Sequence, residues 1–232
     1  AIAGWADATL LVSEAEAAEL RQRPGVPGAR VACVGNGVDL AAFDPHQAWP
    51  PPDHIAADGA PLLVFTGAMD YRPNADAVLW FADAVLPRLL AVRPDLRLAV
   101  VGARPTPAVR RLGERPGIVV TGRVPDVRPW LAHATLAIAP LRIARGVQNK
   151  VLEAMAMARP VLCTSAAAVG IEATAGQELA VADGPAALAA AAQALLDDPP
   201  GRQAMGAAAR LRVEATHGWQ PRLAELDRAL GL

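Results

Sequence analysis

The sequence predicts an α/β chain: a doubly wound, Rossmann-like parallel sheet with a short N-terminal appendage. Three observations predict it. Short, continuously apolar segments recur at 62–66, 96–101, 118–121, 135–139, 161–164 and 179–181, and strands apolar on both faces are strands covered on both faces. Segments of helical length and period separate them, the alternation that builds a parallel sheet. The first four strands run straight into Gly67, Gly102, Gly122 and Pro140, residues that end a strand and turn the chain. Right-handed crossovers then wind the chain over both faces of one sheet.

Taken from the start, residues 8–13 (ATLLVS) read as a short buried strand and 14–23 as the helix after it. Ser13 stands at the N-cap position, with Glu16 three residues on as its capping-box partner. A second apolar strand at 31–34 ends in the turn signal Gly35-Asn36-Gly37. Residues 43–59 are rich in proline and aspartate, including Pro50-Pro51-Pro52, and are expected to be a linker, with the main domain starting near Ala60. Between the six strands the expected helices are 75–90, capped by Asn74, then 107–112, 127–132 and 147–158, with a short one near Ala166. Helices at 185–196, 202–213 and 220–230 close the chain.

The 232 residues suffice for one large domain, and 53% of them are hydrophobic, enough for a sizeable core and too many for disorder. Much of that content is alanine, which suits closely packed helices. A formal net charge of −1 provides no electrostatic footprint for nucleic acid or an anionic membrane. No apolar run reaches the roughly 18 residues of a membrane span. Cys33 and Cys163 lie far apart without metal-ligand spacing, as expected for reduced structural thiols of a cytoplasmic protein. No signal peptide opens the chain. It starts at Ala1 and drops directly into strand-like sequence, which suggests a fragment.

Ligands of an open parallel sheet bind beyond the carboxyl ends of its strands. The segments there combine glycine, which admits a ligand to the backbone, with cations that suit a phosphate. They are Gly67 to Asn74 (GAMDYRPN), Gly102-Ala103-Arg104, Gly122 to Asp126 (GRVPD) and Pro140 to Lys150 (PLRIARGVQNK). Lys150 is the only lysine of the chain, every other strong base being arginine. An exception of that kind points to a need for a compact ammonium, and a helix N-terminus with a lysine beside it suits a diphosphate. Glu153, three residues on, shares its helix face. On a solvated face that pair would contribute only about 0.2–0.5 kcal/mol; in a cleft the cation would take phosphate and the carboxylate ribose hydroxyls. His46, His54, His133 and His217 show no metal spacing, and Ser13 and Ser165 lack a nucleophile elbow. Gly67 to Asn74 is neither a P-loop nor a G-x-G-x-x-G fingerprint.

These motifs, in this order, resemble a known family. Val12-Ser13-Glu14, Asn36-Gly37-Val38-Asp39, the 67–74 segment, Thr121 to Asp126 and above all Pro140 to Ala156, followed by Arg159-Pro160-Val161, are similar to retaining GT-B glycosyltransferases of family four. These are the group 1 sugar transferases, and the chain looks like the branch tied to exopolysaccharide synthesis. The resemblance covers almost the whole chain and implies the C-terminal, donor-binding half of a two-domain enzyme. Residues 1–59 would then be a remnant of the acceptor domain with the interdomain linker, 60–215 the nucleotide-sugar-binding domain, and 216–232 a helix crossing toward the other half.

By position the resemblance makes Arg142, Lys150 and Glu153 the catalytic set. Gly67, Arg72, Asn74, Arg123, Val124, Arg145, Gly146 and Asn149 join Lys150 and Glu153 as donor contacts. Arg123 and Val124 match the loop that receives the base. Two departures stand out: Arg145 replaces a glutamate carried by many relatives, and Ala68 and Pro73 replace an arginine and a lysine. The implied substrates are a UDP- or GDP-sugar and a glycan or lipid-linked acceptor held by the other half, with no nucleic acid partner and at most peripheral membrane contact. No metal or other cofactor is expected, in keeping with the absence of an Asp-x-Asp cluster. The implied location is the cytoplasm or the inner face of the membrane. Two alternatives share the architecture: a binding-only subunit, and a sugar-nucleotide epimerase, which the arginine-rich loops disfavour.

Overall fold

A computed structural model describes residues 2–52 and 59–231, so that part of the expected linker, including His54, lies outside the described residues. The N-terminal part is a small βαβ unit. Strands β1 (Thr9–Leu11) and β2 (Val31–Cys33) pair in parallel, Leu10 opposite Ala32, and helix α1 (Glu14–Arg21) connects them. Ser13 caps α1 as expected: its hydroxyl accepts from the Glu16 N–H at 3.3 Å and donates to the Glu16 carboxylate at 3.0 Å.

The main sheet is separate, six-stranded and parallel throughout. Its strands are β3 (Leu62–Thr66), β4 (Arg97–Val101), β5 (Ile118–Gly122), β6 (Leu136–Ala139), β7 (Val161–Cys163) and β8 (Ala180–Val181), in the order β5-β4-β3-β6-β7-β8. The chain lays strands outward from β3 to β5, returns to place β6 beside β3, and continues the other way. The order therefore reverses between β3 and β6, and a crevice opens beyond the carboxyl ends of these strands. All five residues of β3 are buried, consistent with their unbroken apolar run.

The helix after β3 departs from expectation in two ways. Helix α2 (Arg72–Trp80) starts before Ala75, with Tyr71 at the N-cap, so Asn74 is an interior residue and not the cap. Pro73 is the reason: its fixed φ suits the first turn of a helix, where its missing N–H would have no partner anyway. Downstream the helix widens into a π turn (Phe81–Val85) before α3 (Leu86–Leu90), and the Leu86 N–H bonds Phe81 O, five residues back. The widening eases the clash between the Pro87 ring and the carbonyl four residues before it.

The remaining helices are α4 (Pro107–Leu112), α5 (Arg128–Ala132), α6 (Asn149–Ala156), α7 (Ser165–Ala168), α8 (Pro185–Asp197), α9 (Pro199–Thr216) and α10 (Trp219–Leu230). Helix α9 is longer than expected because Asp198 caps it, accepting from the Gly201 N–H at 3.0 Å, with prolines in the first turn. The stretch before residue 50 is tied down: Arg210 donates to Phe43 O at 2.7 Å and Arg128 to Ala42 O at 3.0 Å, while the Arg128 guanidinium lies over the Trp49 ring at 4.7 Å. Helix α10 folds back on residues 35–38. Val38 donates to His217 O at 2.8 Å, and a Cβ on Gly37 would come within 2.7 Å of the Trp219 indole. Among the described residues no helix is long and apolar enough to cross a membrane.

Candidate functional site

A cleft of about 490 Å³ lies beyond the carboxyl ends of β3, β4 and β5, against the first turn of α6. Its floor is two glycines. Thr66 pairs with Val101 at the ends of β3 and β4, which places Gly67 and Gly102 side by side, with φ near +150° at both. A Cβ on Gly102 would lie 1.7 Å from the Gly67 carbonyl oxygen, and one on Gly67 would lie 2.6 Å from Asn74 Nδ2. Backbone hydrogen bonds from Gly67 to Val101 O (3.0 Å) and from Met69 to Ala103 O (2.8 Å) zip the two loops together. The floor is bare peptide, onto which a bulky anion can settle.

Opposite the floor stands Lys150. Its ammonium donates to Asn74 Oδ1 at 2.6 Å and sits over the Phe65 ring at 4.8 Å. Burial pushes its pKa down to about 8, against a partial rise from Glu153. Burial likewise raises the Glu153 carboxyl above the ordinary range, and the nearby ammonium only partly restores it. Among the described residues no hydrogen bond or ion pair reaches the Glu153 carboxylate, so its acceptors are available to a ligand. Gln148 caps α6 through its backbone alone, which leaves the positive end of the helix to the cleft. Asn149, the first helical residue, accepts from Asn36 at 2.7 Å and so ties the cleft to the segment under α10.

Lys150 gives pH dependences of opposite sign. Its folded pKa lies below the unfolded value of 10.5. Between about 8 and 10.5 the unfolded chain therefore holds more protons, and stability rises with pH. An anion that needs the ammonium binds less tightly over the same window. The expected result is a fall in affinity for a phosphate-bearing anion above pH 8 together with a gain in urea midpoint relative to Lys150→Met. The variant is the reference because the buried Cys163 thiol, pushed up to about 12, acts in the opposite direction.

Of the residues singled out from sequence, Gly67, Arg123, Val124, Asn149, Lys150 and Glu153 line this one cleft. Asn74 sits behind Lys150. The other four do not line it. Arg142 turns onto α2, where it pairs with both oxygens of Asp76 (Nε to Oδ2 at 3.0 Å) and lies over Trp80 at 5.3 Å. Arg72 and Arg145 are exposed, and Gly146 adopts φ +62° in the turn before α6. Gly102 and Val147 also line the cleft; both lie in segments named from the sequence, but neither was singled out there as a donor contact. Val127, an apolar wall residue that no spacing marks, was missed.

Arg123 is exposed and has no ion pair among the described residues. It stands between the cleft and a depression of about 380 Å³ walled by Pro50–Pro52 and Trp130. The cleft thus joins a glycine floor, an ammonium and a helix N-terminus suited to a diphosphate, a carboxylate suited to hydroxyls, and valine walls at 124 and 127 suited to a flat ring. Among the described residues no group of three or more His, Cys, Asp or Glu could hold a metal ion.

Residues 60–198 match the family model described as "Glycosyl transferases group 1". The chain is 29% identical over 204 residues to a GDP-mannose-dependent monoacylated alpha-(1-6)-phosphatidylinositol monomannoside mannosyltransferase of Corynebacterium glutamicum, covering 80% of this chain and 52% of that protein. It is 32% identical over 165 residues to a phosphatidyl-myo-inositol mannosyltransferase of Propionibacterium freudenreichii, covering 68% of this chain and 38% of that protein. The chain thus spans about half, or less, of the length of the curated relatives it matches. In fold it is similar to Anabaena Alr3699/HepE in complex with UDP and glucose, with a TM-score of 0.76 at 13% identity, over 97% of this chain and 63% of that one.

Proposed function

The chain belongs to the group 1 glycosyl transferases, and from that membership we propose that it is the donor-binding half of an enzyme that transfers a sugar from a UDP- or GDP-sugar to a glycan or lipid-linked acceptor with retention. The observation that carries the reading is the Lys150–Glu153 pair at the start of α6, facing the Gly67–Gly102 floor across one cleft. The diphosphate settles on the floor against Lys150 and the α6 N-terminus, Glu153 accepts ribose hydroxyls, and the base lies by Arg123 and Val124. As the sugar departs, charge builds on the diphosphate, where each preorganised donor contributes about 3–4 kcal/mol, judged from oxyanion-hole deletions. In this reading Lys150, Arg123 and the helix N-terminus meet that charge, with no metal required.

The acceptor site belongs to the part of the relatives that this chain does not span. The mannosyltransferases acting on phosphatidylinositol derivatives support a lipid-linked acceptor and a GDP-linked donor; the structure holding UDP and glucose supports a UDP-linked one. The resemblance to the exopolysaccharide branch supports surface-glycan assembly at the inner face of the membrane. Calorimetric titration of the full-length protein with UDP-, GDP- and ADP-sugars tests the reading. One donor series is expected to bind, and Glu153→Ala to weaken it; binding by none of the three overturns the proposal. Binding without turnover on lipid-linked acceptors would make the protein a nucleotide-sugar binder only.

A further inference from the structure

The geometry points to Asn74 as the residue that positions Lys150, holding its ammonium toward the diphosphate and away from Glu153. The inference rests on the function proposed above. Asn74 is 5% exposed, and both ends of its carboxamide are committed. Nδ2 donates to Ala68 O at 3.0 Å in the loop after β3, and Oδ1 accepts from Lys150 at 2.6 Å. The orientation is unambiguous, because an ammonium can only donate and a carbonyl can only accept. The amide also packs against Gly67, where a Cβ would come within 2.6 Å of Nδ2. One side chain therefore joins the glycine floor to the helix on the opposite wall.

Without that partner the lysine has a competing one. Glu153 lies one turn along the same helix face, within reach of a four-carbon stem that carries about 2 kcal/mol of rotamer entropy. A closed Lys150–Glu153 pair would take both groups from the ligand at once. Asn74 and the Phe65 ring occupy two sides of the ammonium and leave donor capacity toward the cleft. The partner must also be neutral. An aspartate at position 74 would cancel the charge that attracts phosphate, whereas an amide directs the ammonium and leaves its charge in place. Glu153 and Arg123 are the other charged residues lining the cleft.

The test follows Lys150 directly. With lysine labelled at 13Cε, the resonance that Lys150→Arg removes reports its titration. Asn74→Asp is expected to raise the midpoint by a unit or more and Asn74→Ala to lower it, while each weakens UDP or GDP binding at pH 7 about ten-fold. Because both substitutions remove the donor to the Ala68 carbonyl, the urea midpoint of each variant is read beside its titration, and Asn74→Asp, which keeps the side-chain shape, carries the decision. If Asn74→Asp titrates within a few tenths of wild type, or binds nucleotide as tightly, Asn74 merely fixes the loop and the inference is overturned. A wild type that binds neither UDP nor GDP would instead sink the functional reading, and the resonance would still decide whether Asn74 sets the state of the lysine.

Discussion

Gly102→Ala is expected to lower stability by about 3 kcal/mol or more, combining roughly 1–3 kcal/mol for a sparsely populated backbone conformation with about 1–3 kcal/mol for overpacking. The new Cβ would stand 1.7 Å from the Gly67 carbonyl oxygen, a separation that no rotamer change relieves because both atoms belong to the main chain or are fixed by it. Relief requires β3 and β4 to separate where their loops are zipped. The urea midpoint measures the loss, and Gly176→Ala separates its two causes. Gly176 also has a positive φ, +83°, but nothing lies within 4 Å of its would-be Cβ, so strain alone applies and the cost should stay near 1 kcal/mol. Equal losses in the two variants would show that the close approach of the glycines contributes nothing.

The fold was legible because its strands are apolar on both faces and their ends are punctuated. Leu62–Thr66 and Val161–Cys163 are read from composition alone. Helix starts were harder, since they rest on competing local preferences. Asparagine favours an N-cap, but Pro73 one residue earlier draws the helix start forward, and Asn74 is carried inside to meet Lys150. The candidate site was legible as a set of loops and less so as a set of side chains. Spacing says that the segments after β3 and β5 and before α6 converge, and they do. It does not say which way a side chain turns after a strand. Leu141 is buried, its neighbour Arg142 goes the other way, and Asp76 with Trp80 receives it. That choice depends on α2, some 66 residues earlier in the chain.

Lys150→Ala is expected to weaken nucleotide-sugar binding by about 10- to 150-fold, the equivalent of one charge-assisted hydrogen bond of roughly 1.5–3 kcal/mol, while changing stability much less. Two opposing effects in the free protein explain the asymmetry. The variant strands Asn74 Oδ1 in a buried position, at about 1–3 kcal/mol. It also removes an ammonium whose burial already drives its pKa to about 8, which relieves a desolvation penalty of comparable size. The two nearly offset in the free protein, and neither offsets in the complex, where the diphosphate loses its cation. Glu153→Ala should weaken binding at least ten-fold with a small gain in stability, because a carboxylate with no bonded partner among the described residues is removed from a half-buried site. Calorimetric affinity set beside urea midpoints distinguishes these outcomes from a structural role. Affinity unchanged in both variants would take the diphosphate away from this cleft; affinity lost only in proportion to stability would make the two residues part of the scaffold.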